Sequence, residues 1–226
     1  MLVVPHLTKS SVQVPLSHQV DIAGFHSEAR RLLASQVPPH MVEWSAATAQ
    51  SVDEEPVEAG HACIGNRAAR AIVPQSFMRI SELVVLHHDP DRFDLLYRSL
   101  WRLVYEPELK HDFADEDLAR LRQMAQSVRR DIQKMKVRLS FRPLQLKGHS
   151  VPVAWYEPTH FICETVGAWL AKEDPALGWI LLTPQRSLRW DCVHLLSAPA
   201  VMPAAQPHAE ASDPEWVRVL EPMPWV

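Results

Sequence analysis

The spacing of apolar residues in this chain switches from three-and-four to two near residue 136, and that change limits the folds open to it. Before the change, every sustained apolar run reads as a helix. Phe25, Ala29, Leu32 and Leu33 give an amphipathic helix within 21–37 that Pro38-Pro39 stops. A second helical block begins at Pro74 as its first residue, runs through Phe77, Ile80, Leu83 and Val84 toward His87, and breaks at Asp89-Pro90. Phe93, Leu96, Tyr97, Leu100, Trp101 and Val104 then repeat on one face and predict a buried third helix. The longest helix starts near Asp115, with Leu118, Leu121, Ala125, Val128, Ile132 and Met135 as its stripe. That stripe is heptad-like for about two and a half repeats, short of the three or four that sustain a coiled coil, so the helix is expected to pack within its own domain.

After the change the expected elements are mostly strands. Val137, Leu139 and Phe141 alternate with Lys136, Arg138, Ser140 and Arg142, the pattern of a half-buried strand. A second strand is expected over 151–156, a helix begun by proline over 158–172, and further strands over 178–183 and 188–194. Helices followed by close strand pairs predict an α/β chain of the mixed α+β kind, its helices packed on a small mixed or antiparallel sheet. Residues 1–20 read as an N-terminal segment open to forming a strand, 21–197 as a single mixed domain, and 198–226 as a proline-rich flexible tail. The acidic stretch 45–70 reads as an irregular connection.

An apolar content of 47% with 22% charged residues suits a globular protein, and 19 prolines against 6 glycines imply stiff connections. Cys63, Cys163 and Cys192 are too scattered for a disulfide framework, so reduced thiols in the cytoplasm are expected. The first residues lack the basic and apolar regions of a secretory signal, and no apolar run approaches the ~20 residues of a membrane span. No membrane partner is expected.

Charge is distributed unevenly. Between Arg120 and Lys147 lie nine basic residues (Arg120, Arg122, Arg129, Arg130, Lys134, Lys136, Arg138, Arg142 and Lys147) and one acid, Asp131, in a chain whose net charge is −4. The segment is therefore +8 while the remainder sums to −12. Such polarity creates a local positive field that attracts phosphate. Acids at a helix start and bases at its end also complement the helix dipole, which accounts for part of the pattern. At 100° per residue Arg122, Arg129 and Lys136 form one stripe, Arg130 and Lys134 another, and the following strand is expected to add Lys136, Arg138 and Arg142. Asp131 is expected to pair with Lys134 or Arg130.

Other candidate chemistry is less specific. Trp155-Tyr156-Glu157-Pro158-Thr159-His160 sets two rings, a carboxylate and an imidazole at a strand end and helix start. Glu157 and His160 could act as an acid/base pair, or the rings could stack on unpaired bases. Asp191, beside Trp190, is a third catalytic candidate, although a strand aspartate more often binds a neighbouring turn. His87, His88, Asp89 and Asp91 are weighed as metal ligands and set aside, because neighbours on a helix point about 100° apart. No metal site is expected, and no Gly-rich phosphate loop or other cofactor motif occurs.

Five blocks of the chain resemble a bacterial domain of unknown function whose members are labelled probable DNA metabolism proteins. They are residues 85–93, 95–103, 128–135, 154–160 and 179–184 with Trp190-Asp191, in order across roughly 21–201. The resemblance implies a role in DNA repair or modification, because such domains are found fused to uracil-DNA glycosylase-like domains or beside a putative radical S-adenosylmethionine protein. It implies no established reaction. The chain has Phe161 where the family pattern usually has a second histidine or similar polar residue, and Cys192 where it has glycine after Trp-Asp. It also lacks the expected C-terminal Ile-Phe-Asn-Pro type motif and the glycosylase motifs. The expected function is that of an accessory protein of DNA metabolism, binding nucleic acid, DNA foremost, through Arg122, Arg129, Arg130, Lys134, Lys136, Arg138, Arg142, Trp155 and Trp190. The alternatives are an enzyme acting on a nucleic-acid base through Glu157, His160 and Asp191, with Trp155 and Trp190 as stacking walls, and an adaptor for a radical enzyme.

Overall fold

The computed structural model describes residues 11–47, 74–112, 114–146, 148–200 and 220. Most of the expected acidic connection, whose first residues 45 and 46 instead end a strand, together with Cys63, Lys147 and most of the expected tail, lies outside them. The chain is a mixed α+β protein and divides into two compact units, Met1–Gln126 and Ser127–Val226.

The first unit begins with β1 (Val12–Leu16), which falls in the N-terminal segment, and α1 (Ile22–Ala34). Asp21 caps α1, its carboxylate accepting from the Gly24 N–H at 2.7 Å. A 3-10 turn at Pro39–Met41 then leads to β2 (Val42–Ala46), which pairs in parallel with β1 from Val12↔Val42 to Leu16↔Ala46. α2 (Gln75–Val84) and α3 (Arg92–Tyr105) follow, then a 3-10 turn at Pro107–His111 and the long α4 (Glu116–Arg138). Pro74 caps α2 rather than entering it. The stripes that predicted these helices are the faces they bury. Phe25, Leu32, Phe93, Leu96, Tyr97, Leu100 and Leu121 form one core, with the Trp44 ring 5.0 Å from Phe25. Buried Arg92 is held by backbone carbonyls: it donates to Val85 at 3.0 Å, Asp89 at 3.0 Å and Gln19 at 2.6 Å. Burial pushes its pKa down to about 10.

α4 runs on into the second unit, and here the sequence expectation needs correction. The apolar alternation at Val137, Leu139 and Phe141 does not begin a strand: α4 continues to Arg138, and the Leu139 N–H still bonds the Met135 carbonyl at 2.9 Å. Met135 and Leu139 are four apart as well as members of an alternating run, so a short pattern fits either period. Val137 decides between them, because it is 82% exposed and faces away from the core. The strand starts only at Arg142.

A five-stranded mixed sheet follows, ordered β3 (Arg142–Leu146), β4 (His149–Trp155), β5 (Trp179–Leu182), β6 (Arg186–Trp190) and β7 (Leu195–Pro199). Only β4 and β5 are parallel; the other neighbours are antiparallel. Between them lies α5 (Cys163–Glu173), which starts later than the expected proline-led helix and packs on the sheet, with Gly167 close against Leu188 and Trp179. The other face carries Leu144, Leu146, Val153, Ile180 and Leu182, joined by Leu220. The expected tail thus contributes Ala198 and Pro199 to β7 and buries Leu220 in a core. No helix among the described residues is long and apolar enough to cross a membrane.

Candidate nucleic-acid interface

Because α4 continues to Arg138, its cations fall into rows different from those expected. Arg130, Lys134 and Arg138 are four apart and form one row with a rise of about 6 Å per step. Arg129 is exposed too, but on another flank, about 100° round from Arg130. Among the described residues none of these four makes an ion pair, and all are exposed. Lys136, expected in the stripe, instead sets its ammonium 4.1 Å from the Trp169 ring centroid on α5. Arg142 is the first residue of β3 rather than a continuation of the row, and Arg122 precedes the second unit; both have partners of their own.

Asp131, the lone acid, takes a different partner from the one expected. Its carboxylate is buried and accepts the backbone N–H groups of Thr159 and His160, each at 2.9 Å. The helical period explains why it turns inward: Asp131 is three residues after Val128 and four before Met135, both fully buried. One turn earlier, on the same side, the Ser127 hydroxyl lies 2.8 Å from His160 Nε2. Two blocks nearly thirty residues apart are therefore joined by three hydrogen bonds.

The segment so anchored leaves the C-terminal end of β4. The Tyr156 N–H donates to the Leu182 carbonyl at 3.1 Å, which fixes the segment to the parallel pair β4–β5. Trp155 Nε1 donates to the exposed Glu157 carboxylate at 3.2 Å. Partial burial raises the pKa of Tyr156, and the negative charge of Asp131 adds to the rise while Arg138 opposes it. Sequence reasoning misses Ser127, while Tyr156 enters it only as one of two rings open to stacking on unpaired bases. Ser127 was detectable as a polar residue one helical turn from a polar residue in the buried stripe.

The remaining candidates do not join this group. Trp155 pairs with Leu182 and Trp190 with Trp179, three residues apart on β5, so the two indoles lie on opposite faces of the sheet. Strand spacing puts their Cα atoms about 14 Å apart. They cannot form two walls of one pocket. Asp191 sits at the same remote end, where its carboxylate accepts from the Val193 and His194 N–H groups at 2.8 and 2.6 Å. The His194 and Val193 N–H groups hold it below the usual carboxylate range. It builds the turn between β6 and β7, where Cys192 adopts φ +75°, and a catalytic trio with Glu157 and His160 is not assembled. His160 is 2% exposed and engaged by Ser127, while Glu157 is engaged by Trp155.

Elsewhere, His87 and His88 lie beyond the end of α2, so the helical argument against them as neighbours does not apply. Their rings stack 4.6 Å apart, and His87 Nδ1 accepts from the Asp89 N–H. Cys163 is buried, which pushes its thiol up to about 12 and leaves it protonated.

A family model described as a domain of unknown function, DUF4130, matches residues 90–212, which include the whole of α4 and the five-stranded sheet. No curated protein and no solved structure matches the chain.

Proposed function

The chain belongs to the DUF4130 family, and from its basic helix we propose that it binds nucleic acid through Arg129, Arg130, Lys134 and Arg138, as an accessory protein of DNA metabolism. The observation that carries this reading is the contrast in pairing. Elsewhere on the chain, Arg31, Arg98, Arg102, Arg120 and Arg186 meet carboxylates. The four cations on the second half of α4 meet none among the described residues, and the only acid near them in sequence is turned inward. Uncompensated cations along one helix supply the field to which a phosphate backbone responds. The resemblance to chains labelled probable DNA metabolism proteins, associated with uracil-DNA glycosylase-like domains or a radical S-adenosylmethionine protein, points to DNA and to a separate enzyme as partner.

The test is fluorescence anisotropy with a labelled oligonucleotide over a salt series. Four phosphate contacts give a log–log salt slope of about −3 to −4. Arg130→Glu with Lys134→Glu should weaken binding more than tenfold without changing the thermal unfolding midpoint appreciably. Undetectable binding at low salt, or an affinity indifferent to this double reversal, would refute the proposal.

A further inference from the structure

We infer that the strand bound at this helix is unpaired, with Tyr156 as the ring on which a base stacks. The inference rests on the nucleic-acid reading above. The cation row is joined to an aromatic segment by direct bonds rather than by general proximity: Asp131, between Arg130 and Lys134 in sequence, holds Thr159 and His160, and Ser127 engages His160. Tyr156 is three residues before that anchor and is fixed from the other side by Leu182. Both Trp155 and Tyr156 remain partly exposed where β4 ends. A ring on an anchored backbone, near enough to Arg138 at the end of the cation row for that charge to act on its hydroxyl, is the arrangement that tracks a backbone and stacks its bases, and it works with any base because every base has a π face.

Glu157 argues in the same direction. Its carboxylate is exposed beside the two rings and is a poor neighbour for phosphate. It accepts hydrogen bonds, and the N–H donors on a base's pairing edge become available only when the base is unpaired. A paired duplex would bring a second phosphate strand to this surface and offer neither those donors nor the base faces.

The experiment compares a labelled single strand of about 12 nucleotides, as DNA and as RNA, with the duplex of the same sequence. The single strand of the preferred sugar should bind at least about tenfold more tightly than the duplex. Tyr156→Leu should cost single-strand affinity roughly fivefold to a hundredfold, in line with ~1–3 kcal/mol per stacked base, and leave duplex affinity unchanged. Tyr156→Phe, which keeps the ring, should bind as the native chain does. Equal affinity for single strand and duplex, or equal losses on both in Tyr156→Leu, would overturn the inference while leaving nucleic-acid binding in place. Absence of salt-dependent binding to any of the probes would remove the underlying reading as well. The native-chain comparison decides even if Tyr156→Leu is unstable.

Discussion

The two halves of α4 use similar side chains to opposite ends. In the first half, charge acts as cement: Asp117 binds Arg98 at 2.7 Å and Arg102 at 3.2 Å, Arg102 also reaches Asp115 at 2.8 Å, and Arg120 meets Asp89 at 2.8 Å. In the second half, Arg129, Arg130, Lys134 and Arg138 face outward, and the single carboxylate is committed to backbone N–H groups. A count of basic residues treats the two stretches alike. The positions of the acids separate a stabilising network from a surface available to a partner.

That comparison can be broken in order of expected effect. The largest change should come from Asp131→Ala, which leaves two N–H groups without their charged acceptor and is expected to cost about 3 kcal/mol in denaturant unfolding. A loss under about 1 kcal/mol would mean the link between helix and loop is dispensable. Next comes Arg102→Ala, which removes one cation from a surface network and should cost about 1 kcal/mol. Asp117→Asn probes the same network through pH. The Arg98 hydrogen bond holds the Asp117 carboxyl below the usual range against a smaller opposing effect of burial. A carboxylate with a depressed folded-state pKa contributes stability above its unfolded value and loses it as pH falls through the folded one. Acid unfolding should therefore be less steep for Asp117→Asn than for the native chain, and identical profiles would show that the pairing adds nothing. The smallest effect belongs to Arg130→Ala with Lys134→Ala, which should shift stability by no more than about 0.5 kcal/mol. A larger loss would show that these residues support the fold, and the distinction between the two halves would fail.

Much of the helical fold was legible in the sequence because it depends on local spacing. Phe93 to Val104 and Leu118 to Met135 each repeat often enough that one period fits and the other does not. The run at Val137, Leu139 and Phe141 is too short to choose between them, and the strand it predicts begins within the last three residues of the helix. The end of β6 differs from the expected strand over 188–194 for a related reason: Asp191 does bind a neighbouring turn, as a strand aspartate more often does, but that turn starts at Asp191 itself and ends the strand. The site was less legible because its bonds join distant residues. No local rule pairs Asp131 with Thr159, yet a carboxylate in an apolar stripe signals that some donor must come to it. Nor does composition reveal that Trp155 and Trp190 fall on opposite faces, which depends on register.

The separation of those two indoles has an evolutionary consequence. The anchored loop follows β4 beside Leu182 and the turn follows β6 beside Trp179, at opposite ends of β5, so substitutions at one end are shielded from the other. Cys192 shows what that shielding permits. It occupies a left-handed conformation, φ +75°, at the position where the resembling pattern has glycine, a change that strains backbone by roughly 1–2 kcal/mol. Drift of this kind can accumulate at the far turn without altering the spacing between the Asp131 carboxylate and the loop it holds.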